Sequence, residues 1–85
     1  DPPHQVDWLE QVQCLIAQGT TVVSVLHEIG MALQAHEVIV MDRGQVLHHG
    51  DCNDPQTHAA IEAVFGHRIR IHALDGQWVV LPRTP

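Results

Sequence analysis

The chain has 85 residues, enough for one small domain whose core lies near the lower limit of independent stability. Ten carboxylates stand against four arginines and no lysine, a net charge of −6 with histidine neutral, so a polyanion such as nucleic acid is repelled on average and nucleic acid is not expected as a partner. No apolar run approaches the roughly 20 residues needed to span a bilayer, so a soluble polypeptide is expected.

The chain opens Asp1-Pro2-Pro3, without a methionine and without a signal-like segment, and reads as a piece of a longer cytosolic protein. Cys14 and Cys52 lie far apart in sequence with no secretory mark, which fits reduced thiols better than a disulfide framework.

Trp8, Leu9, Val12, Leu15 and Ile16 recur at three- and four-residue spacing and predict an amphipathic helix of roughly three to four turns, with Trp8, Leu9 and Val12 expected in the core. Prolines at its first turn are tolerated, and Gly19 suits the left-handed position that closes it. Thr20 to Leu26 has four apolar residues in seven and no clean alternation, which predicts a strand covered on both faces. Ile29 to Ala35 then reads as a short helix and Val38 to Met41 as a second apolar strand. A strand, short helix, strand order is a crossover, and crossovers join parallel strands.

Asp42 to Gln45 carries a glycine for a turn, after which Val46 to His49 returns antiparallel and stops at Gly50. Asp54-Pro55 has the form of an N-cap followed by proline at the first helical position; Ala60, Ile61, Val64 and Phe65 share a helical face, with Ile61 and Phe65 expected in the core, and Gly66 ends the helix. Arg68 to His72 alternates, Asp75-Gly76 is a hairpin signal, and Trp78 to Leu81 pairs back before Pro82.

From Asp1 to about Gly66 this order resembles the C-terminal half of the ATP-binding subunit of an ABC transporter, and most closely the ATPases of bacterial importers for haem, ferric siderophores and cobalamin. Asp1 followed by His4-Gln5 is similar to the end of the D-loop and the start of its helix. Gly19 to Val23 is similar to the strand before the switch histidine, and His27-Glu28 to the switch itself. Ala35 through Gly50 resembles the next strand, turn and strand, and Val64-Phe65-Gly66 the end of the C-terminal helix. Glu28 stands where the family usually has aspartate, and Ala35-His36 where it often has Ala-Asp.

The fold class this implies is α/β: a C-terminal fragment of a P-loop NTPase domain, with a short parallel sheet, flanking helices and a C-terminal β-hairpin. The resemblance makes residues 1–66 the C-terminal part of a nucleotide-binding domain, from the end of the D-loop to the last helix, and residues 67–85 a C-terminal hairpin extension. The resemblance also implies that His27 contacts the γ-phosphate and helps to orient the attacking water, and that Asp1 acts across the interface with a second ATPase subunit. An imidazole at a rigid strand end suits the first role because it donates a hydrogen bond to phosphate oxygens that gain charge as the bond breaks. The complete protein is then a homodimer on the inner face of the bacterial inner membrane, held there by a transmembrane permease and powering import of an iron complex, with haem the foremost member of the class.

A phosphate-cradling Gly-x-x-x-x-Gly-Lys-Ser/Thr loop needs a lysine, and the six glycines here are scattered singly. ATP and Mg²⁺ therefore belong to the complete protein; these 85 residues are expected to bind no cofactor and to hydrolyse no ATP. His48, His49, Asp51 and Cys52 are all possible Zn²⁺ ligands, but neighbours on a strand point to opposite faces, so no metal site is assigned. Trp78 either covers the sheet or serves a subunit contact. The alternative to the ATPase reading is a non-enzymatic interaction or assembly module on the same scaffold. Either way, unpaired donors and apolar surface along Thr20 to Leu26 predict self-association through that edge or face.

Overall fold

A computed structural model describes residues 2–83. Helix α1 (Pro2–Ala17) is followed by a single turn, α2 (Ile29–Ala32), then strands β1 (Glu37–Asp42) and β2 (Gln45–Asp51), helix α3 (Pro55–Val64), and strands β3 (Ile69–Leu74) and β4 (Gln77–Pro82). The chain is α/β, and none of its described helices is long and apolar enough to cross a membrane.

Glycine ends both long helices by one device. Gly19 takes φ +88°, and the Gly19 and Thr20 amides donate back to the carbonyls of Ile16 and Leu15 at 2.9 and 3.0 Å. At the end of α3, Gly66 takes φ +65°, and the Gly66 and His67 amides donate to Ala63 and Glu62 at 3.0 and 2.8 Å. These paired bonds close the free carbonyls of a helix terminus, and the left-handed residue between them has least strain without a Cβ. At the start of α3 the Asp54 carboxylate accepts from the Gln56 amide at 2.9 Å, while Pro55 occupies a position whose amide has no helical partner.

Both hairpins turn through two left-handed residues, Arg43-Gly44 and Asp75-Gly76, whose twist matches that of the flanking strands. β1 pairs antiparallel with β2, with a register shift between Val40 and Met41, and β3 pairs antiparallel with β4. The two sheets are separate.

The expected parallel sheet is absent among the described residues. Thr20 to Leu26 forms no strand; it runs free of any ladder, and Val23 and Val25 are 85% and 90% exposed. A strand is defined by its neighbour, and no second strand lies beside this run to take up its backbone groups.

The core lies instead where α2, α3 and the inner faces of the two hairpins meet. Leu33, Val40 and Ile61 are buried, with Ile29, Val38, Val64, Ile69, Ile71, Trp78 and Val80 packed around them. Two expectations about this core are corrected. Trp8, Leu9 and Val12 are only half-buried, because α1 stands to one side of the cluster, and Phe65 is 46% exposed at the C-cap of α3 while Ile61 on the same face is buried. The terminal hairpin is locked to α3, since the Ile71 amide on the outer edge of β3 donates to Glu62 Oε2 at 3.0 Å.

Candidate functional site

His27 stands at the carboxyl end of the free run, in a bend immediately before α2, with its side chain exposed. Glu28 follows it and caps α2 through its backbone without a side-chain bond to the helix. Its carboxylate accepts instead from the Gln5 side-chain amide, across 23 positions of sequence, so α1 is tied to the residue next to His27. Gln5, Val6 and Leu9 on one side and Glu28, Gly30 and Met31 on the other line a shallow hollow between α1 and α2. In the sequence Gln5 stands out only as part of the His4-Gln5 pair that resembles the start of the helix after the D-loop; its bond to Glu28 has no sequence signal. Asp1 lies outside the described residues.

The imidazole of His27 is thus free to meet an incoming group, and it has no basic neighbour in sequence with which to cradle a phosphate. No group of three histidine, cysteine or carboxylate side chains capable of holding a metal ion occurs among the described residues.

The histidines near β2 turn in different directions. His48 faces inward, its Nε2 2.8 Å from Thr57 Oγ1, whereas His49 faces outward and lies 2.9 Å from Glu37 Oε1. His49 and Glu37 are both more than half exposed, so water and salt weaken that pair. Cys52 is buried, and desolvation, reinforced by the nearby Asp51 charge, holds its thiol above the ordinary range against a smaller opposing effect of a backbone hydrogen bond. His58 is also buried, with Nε2 2.6 Å from the Cys52 carbonyl oxygen, and its ring meets that of Trp78 edge-on at 4.2 Å. Trp78 Nε1 in turn donates to Asn53 Oδ1 at 2.8 Å. Among the described residues no buried side-chain nitrogen or oxygen lacks a hydrogen-bond partner, and these contacts make the cluster a joint between α3, the β2 end and the hairpin. Sequence reasoning missed Thr57, His58 and Asn53, because each bond spans a different element pair and leaves no periodic trace.

No protein-family model matches the chain, and no solved structure matches it. Curated proteins do: the chain corresponds to the C-terminal part of the ATP-binding subunit of an ABC transporter, most like those of bacterial iron-complex importers. In particular it is similar to the hemin import ATP-binding protein HmuV of Rhodococcus jostii, 31% identical over 86 residues that cover 98% of this chain and 30% of that protein. The protein of the same name from Bradyrhizobium diazoefficiens is 28% identical over 85 residues, covering 99% of this chain and 32% of its own length. A phosphonates import ATP-binding protein, PhnC of Trichormus variabilis, is 40% identical over 47 residues, 54% of this chain and 19% of that protein. The chain spans about a third of the length of these hemin-import relatives.

Proposed function

We propose that the chain is the C-terminal part of an ATP-hydrolysing subunit that powers import of an iron complex, with haem as the cargo. The observation that carries this reading is the alignment of nearly the whole chain with hemin import ATP-binding proteins from Rhodococcus jostii, Bradyrhizobium diazoefficiens and Rhizobium meliloti, at 28–31% identity. In the complete subunit His27 contacts the γ-phosphate of ATP, and Asp1 reaches across to a second copy of the subunit. The free, exposed imidazole at the end of the run supports the first assignment. ATP and Mg²⁺ are held by residues outside these 85, a permease docks the dimer at the inner membrane, and the chain by itself is inactive. On its own it self-associates through the exposed run around Val23 and Val25, whose backbone groups lack a ladder partner.

A chimera tests the reading. These 85 residues replace the matching region of the Rhodococcus jostii protein, and phosphate release is measured with and without His27→Ala. The expected result is an active chimera in which His27→Ala lowers turnover by about 10²-fold or more while ATP binding persists. An active chimera indifferent to His27→Ala removes the role of that histidine, and a well-folded but inactive chimera removes the ATPase reading. Hemin-dependent growth of cells carrying the chimera tests the cargo.

A further inference from the structure

Nine of the ten carboxylates precede His67, whereas three of the four arginines follow it. The fold gathers those three on one surface. Ile69, Ile71, Trp78 and Val80 face the core, so alternation turns Arg68, Arg70, His72 and Leu74 outward on one strand, together with their cross-strand partners Arg83, Leu81, Val79 and Gln77. Arg68 and Arg83 are directly opposite, joined by the Arg83 amide to the Arg68 carbonyl at 2.8 Å. Arg70 lies two residues along, beside Leu81, which is 48% exposed. None of the three arginines has an ion pair among the described residues.

Like charges directly opposite on a sheet weaken it, and here three guanidinium groups share one end of a small hairpin without a counter-charge. We infer that this outward face, Arg68, Arg70 and Arg83 around Leu81, is a docking surface for an acidic, partly apolar segment of a partner protein. Guanidinium groups bind carboxylates through paired hydrogen bonds, and Leu74, Val79 and Leu81 offer the apolar floor for such a segment. A membrane or a duplex, being an extended anionic surface, also meets the carboxylate-rich remainder of the chain. A short segment touches the hairpin alone, and charges farther off than the roughly 8 Å screening length in physiological salt do not repel it.

The test uses the 85-residue chain and a short fluorescent peptide of alternating glutamate and leucine. Binding that weakens with salt is expected, and Arg70→Thr is expected to reduce affinity by about tenfold or more. Arg43→Thr, on the other hairpin and beside Asp42, is expected to leave affinity unchanged. Arg68→Thr should also weaken binding while leaving the chain as resistant to urea as before or more so, an outcome that separates docking from a structural role. Three results overturn the inference: no peptide binding by the folded chain, equal loss in Arg43→Thr and Arg70→Thr, or tighter binding to phosphatidylserine vesicles or a duplex oligonucleotide than to the peptide. None of these bears on the ATPase chimera, so the two readings fail separately.

Discussion

His48 on β2 and Thr57 on α3 meet at 2.8 Å, and the space between them is open because residue 50 has no side chain. A Cβ at Gly50 would stand 2.8 Å from His48 Nε2 and 2.9 Å from Thr57 Oγ1. The imidazole tip is the far end of a flexible side chain, but Thr57 is fully buried and short, so it has nowhere to go. Gly50→Ala is therefore expected to destabilise the chain by about 1–3 kcal/mol in urea denaturation. Adding Thr57→Ala should recover part of that loss, and an unchanged midpoint for Gly50→Ala would refute the close approach.

Trp78 joins the hairpin to α3 and to the turn before it through two different interactions, an edge-on ring contact with His58 and a hydrogen bond to Asn53. Phenylalanine keeps the first and loses the second. Trp78→Phe should cost about 1 kcal/mol, and Asn53→Ala in that background should add little, because the bond is already gone. Additive losses in the double variant would show that the two residues do not act as a pair.

The two thiols differ in access. Cys14 is exposed on α1 and Cys52 is buried. Alkylation of the native chain is expected to modify Cys14 quickly and Cys52 only on unfolding, with mass spectrometry reading the sites.

Burial also makes Cys52 a source of pH dependence. Desolvation, then Asp51, raises its folded pKa above the ordinary 9.0. Below pH 9 the thiol is protonated in both states, but above it the unfolded chain loses the proton first, so the stability contributed by this site declines as pH rises towards the folded pKa. Cys52→Ala should remove that alkaline component of the pH–stability curve. A slope above pH 9 that is identical in both chains would contradict the assignment.

Thr20 to Leu26 makes no ladder, and His27 is exposed with no side-chain bond to another described residue. Amide exchange is expected to be fastest there, and limited proteolysis by a protease cutting after leucine should nick at Leu26 before the hairpins. His27→Ala should shift the stability of the chain by no more than about 0.5 kcal/mol, so that activity lost in the chimera reports chemistry. Strong exchange protection at Val23 and Val25 in dilute solution would mean that the run is paired after all.

The sequence by itself determined where the two long helices stop, where α3 starts and where the terminal hairpin turns, along with the chain's resemblance to importer ATPases. Gly19, Asp54-Pro55, Gly66 and Asp75-Gly76 work through bonds only a few residues long, so their effect is visible from neighbours alone. His27 was placed at the end of the run by the same local reading. What the run itself becomes was decided by tertiary structure, because an apolar stretch is a strand only if another strand lies beside it, and the described chain puts the two sheets elsewhere. Tertiary structure likewise left the stripe of α1 half-covered, tied Gln5 to Glu28, and closed Gly50 between His48 and Thr57. These relations depend on which surfaces meet across distant positions, and a one-dimensional pattern of residue types records composition and period but not the identity of the partner.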